Sequence, residues 1–327
     1  MKIQITKINA NGGGYLVVDD VNKKLPHDRA RLVQAACDLR GLIGAEGLAW
    51  VTDIRPQGIS VDCYSPDSTL QATSVNGAIV AALHHYRLFV EPTIEVTQRG
   101  RSCVVKVRPT ESEFLFCEVL DLEISEMRDA GADTSALLKR VLPEAINSRS
   151  FEAGRKQLIV ESAIVSDRSV YDLGRLVNAH LEGRDEGVAV SIMRRIGDDS
   201  AFMRTFVPGG ADLVNSCSGS VAAAGFALAR YMRADGSRRE PFKVYGIGGA
   251  AQVRVAQNLG AEGPASVDIL SRGAVVFDAE IDWDGENFEG QMDGSVFMEA
   301  MSSLADLEEA ELNSIDFERF YRSDFRG

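Results

Sequence analysis

The stretch TSVNGAIVAALHHY, residues 73–86, opens on Ser, Asn and Gly and runs on through small apolar residues. NSCSGSVAAAGFALAR, residues 215–230, repeats that wording later in the chain. Aligned on Ser74 and Ser216, Gly77 meets Gly219 and Ala81–Ala82 meet Ala223–Ala224, all at an offset of 142 residues. Ser is a good N-cap because its hydroxyl accepts from a backbone N–H that the first helical turn leaves unpaired. Small residues along AIVAAL and VAAAGFALA let neighbouring elements approach from every side, which predicts buried helices. Two such helices, each preceded by a strand and a loop and followed by strand pattern, imply an internal duplication. The fold class is therefore α+β, with two pseudo-symmetric halves, each threading one small-residue helix through a curved sheet.

The flanking sequence keeps the same rhythm. KIQIT, GYLVVDDV, LAWVTDI, ISVDCYS, TIEVTQ and CVVKVRP read as strands in the first half, interrupted by a helix over PHDRARLVQAACDLRG and the 73–86 stretch. QLIVESAIVS, GVAVSIMRRIG, AFMRTFV, FKVYGIGG, AQVRVAQ, SVDILSR and AVVFDAEID read as strands in the second, with helices over DLGRLVNAHLE and 216–231. GADTSALLKRVLPEAINS is a further helix candidate near the junction, with Thr134 or Ser135 as its cap. The domains expected are residues 1–125, 126–282 and a tail over 283–327.

Of 327 residues, 45% are apolar and 25% charged, as in soluble globular chains. A net charge of -13 argues against nucleic acid or an anionic membrane as partner. No apolar run reaches the roughly 20 residues that span a bilayer. The N-terminus enters strand pattern without a secretory signal, so Cys37, Cys63, Cys103, Cys117 and Cys217 read as reduced thiols of a cytoplasmic protein. The tail carries twelve Asp/Glu and three Arg, which is -9 of the -13. Its helical spacing suggests packing on its own body or closing the edge of a homodimer; an acidic, aromatic docking segment is the other reading. His27, His84, His85 and His180 lack metal-ligand spacing, and no metal or other cofactor is expected. His84 and His85 lie about three turns from Ser74, roughly 15 Å along the axis, and fit a core or rim role. NGGGY and GIGGAA match neither phosphate-loop pattern and read as turns.

A helix start offers free N–H groups and about half a positive charge, which suits a carboxylate. Two starts facing one another would hold one small carboxylate or amino-acid-like ligand between them. Five further segments fall in order with one family. KINANGGGYLVVDDV, LRGLIGAEGLAWV, SPDSTLQATSVNGA, RDEGVAVSIM and SVDILSRGAVVFDAEI are similar to the successive motifs of the diaminopimelate epimerase-like superfamily. The resemblance covers residues 1 to about 282. It implies two barrel-like halves, each around a central helix, and cofactor-independent isomerase chemistry of the epimerase and racemase kind.

In that family a cysteine at each helix start exchanges the α-proton, because a helix N-terminus lowers a thiol pKa. Ser74 stands at the first of these positions here. At the second, the register that keeps Ser218–Gly219 and the Ala run in place puts Ser216 there with Cys217 beside it, and this is the one expected; a register shifted by one would restore Cys217. The catalytic candidates are Ser74, Ser216 and Cys217, and the substrate-binding candidates are Asp67, Ser68, Asn76, Gly77, Ser218 and Gly219. The family's Asn-Pro-His falls near Glu161, Ser162 and Ala163, which makes Glu161 a substitute carboxylate in the cleft. The family's early Asn falls at Gly13, and its Glu-Arg pair at Val207 and Pro208, so the amino-acid clamp is altered. A serine hydroxyl needs a neighbouring base, and His27 or His180 could reach one only through the fold. The expected function is a proton-moving isomerase other than diaminopimelate epimerase itself, the alternative a catalytically silent relative that binds a ligand or a protein.

Overall fold

A computed structural model describes residues 1–25, 28–38, 43–110, 114–127, 138–180, 187–209, 212–215, 217–234, 241–255, 265–285 and 288–289. The first half carries strands β1 (Lys2–Ala10), β2 (Gly13–Asp19), β3 (Gly47–Arg55), β4 (Gly58–Tyr64), β5 (Thr93–Gln98), β6 (Arg101–Pro109) and β7 (Leu115–Met127). Helix α1 (Arg29–Cys37) follows β2, and α2 (Val75–Phe89) follows β4. The second half repeats this as β8 (Ala145–Ala153), β9 (Arg155–Ser162), α3 (Asp167–His180), β10 (Ala189–Arg195) and β11 (Ser200–Val207). It continues through β12 (Asp212–Val214), α4 (Ser218–Ala234), β13 (Phe242–Gly246), β14 (Gly249–Val255), β15 (Ala265–Trp283) and β16 (Phe288–Glu289).

The pairing repeats as faithfully as the order. β1–β2 and β8–β9 are antiparallel hairpins. β2–β3 and β9–β10 are parallel, as are β4–β5 and β11–β13. The last strand of each half is long because it serves both. β7 and β15 pair antiparallel from Leu115↔Gly273 to Ile124↔Ala265. Beyond that crossing, Ser125–Met127 pair with β8, and Phe277–Asp282 pair with β1. Each sheet is thus closed by the end of the other half's last strand. Residues 125 and 282, the expected boundaries, lie inside β7 and β15.

Both central helices are enclosed, as their small residues predict. Every residue of α2 from Val75 to His85 is buried. A Cβ on Gly77 would lie 2.3 Å from Cys63 Sγ, and one on Gly225 would lie 2.5 Å from Val253 Cβ. Only glycine lets the helix ride this close to the sheet. His85 is fully buried against the Arg55 carbonyl at 2.6 Å, and His84 is 9% exposed. α1 and α3 instead cover the outer faces, where Leu32 and Val33 meet Trp50 and Trp283, and Leu173 and Val177 meet Val190 and Phe206. Each such buried aliphatic contributes about 1.5–3 kcal/mol.

Several local expectations change. AINS, read as the end of a helix, is the start of β8; Ala145–Ala153 is too polar to show an alternating pattern. β7 has no counterpart in the sequence reading, and SVDILSR and AVVFDAEID are one continuous strand. Thr134, Ser135, His27, Ser216 and residues 290–327 lie outside the described residues. The glycine-rich motifs are turns, and they meet across the halves. Asn11 and Gly12 both have positive φ, and a Cβ on Gly12 would lie 2.0 Å from Gly248 Cα. Among the described residues no helix is long and apolar enough to cross a membrane.

Candidate active site

The starts of α2 and α4 converge. Ser218 N donates to Asn76 Oδ1 at 3.1 Å, so one hydrogen bond joins the first turns of the two helices. Both starts open into a single cleft between the halves, with about 550 Å³ of non-atom space including its solvent-open mouth.

The cap hydrogen bonds fix the helix register. Ser74 O accepts from Ala78 N at 2.9 Å, and Cys217 O accepts from Val221 N at 2.9 Å. Cys217 is therefore the counterpart of Ser74, at an offset of 143 rather than 142. β1 and β8, starting at Lys2 and Ala145, keep the same 143-residue offset. The shifted register is the one the backbone adopts. Cys217 is half-buried and lines the cleft, as do Ser74, Asn76, Ser218 and Gly219.

Ser74 is held as a cap. Its Oγ accepts from Gly77 N at 3.1 Å, while Gln98 accepts from its N–H at 2.6 Å and donates to its carbonyl at 2.8 Å. Gly77 spends its N–H on that cap and packs on Cys63, so it shapes the helix rather than lining the cleft. Asp67 and Ser68 form a turn at the rim. Asp67 N donates to Gly209 O at 3.1 Å and its carboxylate accepts from Thr69 N, while Ser68 takes a hydrogen bond from Gln34. Their neighbours Ser65 and Pro66 line the cleft instead. Glu161 also departs from expectation. It lies on β9 with its carboxylate accepting from Arg195 Nε at 2.6 Å and does not line the cleft. The β9 residues that do are Arg155 and Gln157, because the strand enters the cleft at its first residues and has left it by Glu161. His180, at the exposed end of α3, does not reach it either.

A carboxylate that neither serine has nearby in sequence comes from the turn before β3. Glu46 lines the cleft, tied back by its N–H to Gly14 O at 2.7 Å. Its Oε1 accepts from Asn215 N at 3.3 Å, two residues before Cys217. Its Oε2 is buried with no hydrogen-bond partner among the described residues. Burial pushes the carboxyl up to about 7, against the opposing pull of the Asn215 N–H, Lys7 and Arg204. Arg204 is 7% exposed, paired with Asp167 at 2.6 Å and donating to Val214 O at 3.2 Å, and so steadies the end of the strand that leads into Asn215. Beside Glu46, Tyr15 Oη accepts from Asn76 Nδ2 at 3.3 Å, and burial together with Glu46 raises the phenol pKa. Asn76 thereby couples the Tyr15–Glu46 side of the cleft to α4.

Three more polar atoms along the cleft residues are buried without a partner among the described residues: Arg155 Nη1, Gln157 Nε2 and Ser218 Oγ. Gln157 and Ser218 are each 1% exposed, and Gln157 Oε1 is taken by Ser220 Oγ at 2.6 Å. Buried polar groups are normally satisfied, so these atoms are donors left over for water or a ligand in the cleft. Glu46 is the acidic residue of GAEGL, where the resembling motif carries Asp, and Tyr15 belongs to NGGGY, which reads only as a turn; Arg155 and Gln157 carry no motif.

No family model matches the chain. It is 23% identical over 304 residues to a diaminopimelate epimerase of Listeria monocytogenes, covering 85% of this chain and 90% of that protein. In structure it resembles a phenazine biosynthesis protein of the PhzF family from Bacillus anthracis, with a TM-score of 0.64 at 12% identity, over 86% of this chain and all of the other. It also resembles a hydroxyproline epimerase from Agrobacterium vitis, with a TM-score of 0.58 at 14% identity, over 85% and 90% of the two chains. The duplicated sheet and the crossed last strands give this chain the fold of these proteins, and its sequence is similar over most of its length to that of a diaminopimelate epimerase.

Proposed function

We propose that the cleft is the active centre of an isomerase that moves a proton on a small carboxylated substrate, with Glu46 as the base. The observation that carries this is a buried carboxyl oxygen left without a hydrogen-bond partner in the cleft that both helix starts line, on a group whose pKa burial pushes up to about 7. A general base works best when its pKa lies near the working pH, and positioned proton transfer contributes about 10²–10⁴-fold. Glu46 takes a proton from carbon and leaves the electron pair to delocalise into the substrate's carbonyl or double bond. It returns the proton to the same carbon or to a conjugated one, so the carboxyl ends as it began. The helix starts favour the charge that develops. The Cys217 thiol faces the same cleft and is the second proton donor available to the opposite face of the substrate. Ser74, whose hydroxyl is spent on its cap, positions α2 and takes no proton.

The test is proton exchange. Small keto, unsaturated and amino acids incubated with the protein in deuterated water should yield one acid that incorporates deuterium at a single carbon. Tight binding with no exchange by any member would instead support a ligand-binding relative.

A further inference from the structure

We infer that Arg155, with Gln157 Nε2 and the Ser218 hydroxyl, is the clamp for the substrate's carboxylate, and that this substrate carries no α-ammonium group. The inference rests on the isomerase reading above and assigns the side of the cleft opposite Glu46.

The turn before Arg155 is anchored from the first half, where Thr73 Oγ1 donates to Gly154 O at 2.9 Å. Gly154 has a φ of +74° and lies 3.1 Å, at its absent Cβ, from that same hydroxyl. The anchored turn sends the Arg155 side chain into the cleft, with Nη1 buried and unpaired. A guanidinium presents planar paired donors and binds two-oxygen anions side by side. Gln157 Oε1 accepts from Ser220 Oγ, which turns its Nε2 toward the cleft as a second donor, and Ser218 Oγ supplies a third. Three donors along one wall ask for one anion of the size and shape of a carboxylate.

The repeat shows that this wall is particular to the second half. In the hairpins Ala10 pairs with Gly13 and Ala153 with Arg155, so Arg155 stands where the first half has Gly13. Tyr15 pairs with Gly47 and Gln157 with Ala189, which sets Glu46 against Val188. A Cβ on Gly13 would lie 2.8 Å from Glu46 Oε2, so the missing side chain makes room for that carboxylate. The cleft is polarised, with the base in one half and the cation in the other.

That polarity selects against amino acids. Glu46 is the one carboxylate among the described lining residues. An α-ammonium docked on it would favour its charged form, pull its pKa down and occupy the oxygen that must take the proton. The acidity of the C–H bond then comes from a conjugated carbonyl or alkene. When Glu46 removes the proton, the electron pair spreads toward the oxygens at Arg155. The new C–H bond forms with the proton from Glu46, leaving composition and oxidation level unchanged.

The test uses the full chain and four-carbon probes. Crotonate and 2-oxobutyrate should bind by calorimetry, with L-2-aminobutyrate and crotonamide at least about tenfold weaker, the order of effect of one charge-assisted contact. Arg155→Gln should weaken the two acids about 10–100-fold and erase the gap between crotonate and crotonamide. Arg155→Lys should recover part of the loss. On the wild-type protein, crotonate should protect Arg155 from phenylglyoxal, a readout that needs no variant to fold. Unchanged acid affinity in Arg155→Gln, equal binding of the amino acid, absence of protection, or no acid binding at all would each overturn the clamp. Arg155-dependent binding without deuterium exchange would remove the isomerase reading and leave the clamp standing. Exchange with an unaltered KM in Arg155→Gln would do the reverse.

Discussion

The two halves share strand order, pairing and a buried small-residue helix, yet they face each other across the cleft with opposite chemistry. Gly13, Tyr15, Glu46 and Ser74 on one side correspond to Arg155, Gln157, Val188 and Cys217 on the other. The scaffold positions are symmetric because the sheets and helices demand the same packing from both copies. Cleft positions escape that demand, since their side chains point at ligand rather than at core. Duplication supplies a cleft with two equivalent walls, and on the proposed reading substitution at these positions turns it into one with a base and an anion clamp.

The comparison can be broken most sharply at Glu46. Glu46→Gln keeps the shape and the Asn215 contact but removes the base, and deuterium exchange on the cognate acid should fall by about 10²–10⁴-fold. Its stability should respond to pH in a defined direction. A carboxyl raised to about 7 in the folded state, against an ordinary value of 4.5, binds more protons folded than unfolded. Stability therefore falls as pH rises from about 4.5 to about 7 and is level above, a loss on the order of 3 kcal/mol. Thermal melts between pH 4.5 and 8 should show this slope in the wild type and lose it in Glu46→Gln.

A smaller effect sharpens the role of the shared scaffold. In Gly219→Ala the new Cβ would lie 2.7 Å from Ala153 O and 2.9 Å from Gln157 Nε2. Chemical denaturation should give about 1–3 kcal/mol of destabilisation, with the Gln157 amide displaced. Ser74→Ala should cost least, about 1 kcal/mol, as the loss of one N-cap hydrogen bond. Its exchange activity should stay within a few fold of wild type. Cys217→Ala, at the symmetric cap, should lower exchange more than Ser74→Ala if the thiol donates a proton.

The fold was legible because it rests on features that recur: small residues at both central helices, glycines where sheets close in, alternating strands on either side. β8 was not, since AINSRSFEA alternates weakly and earns its place by pairing with β7 and β9. The site was half legible. Ser218, Gly219 and Asn76 belong to the two helix starts and line the cleft, although the repeat is in register at 143 residues rather than 142. A one-residue difference separates the two hairpins, Asn11–Gly12 against Gly154 alone, and that slip hid the equivalence of Gly13 with Arg155. Glu161 drew attention as a carboxylate near the expected motif, but only the first residues of β9 face the cleft. Glu46 sits in a quoted motif, and its significance depends on burial, which no local pattern encodes.

The account stands on one carboxyl group being poised for proton transfer. Carbon-13 NMR of the protein labelled at glutamate side-chain carboxyls, titrated from pH 3 to 9 and repeated on Glu46→Gln, reads that group directly. One resonance titrating near 7 and missing from the variant is the predicted result. A Glu46 resonance titrating with the ordinary carboxylates near 4.5 would contradict it.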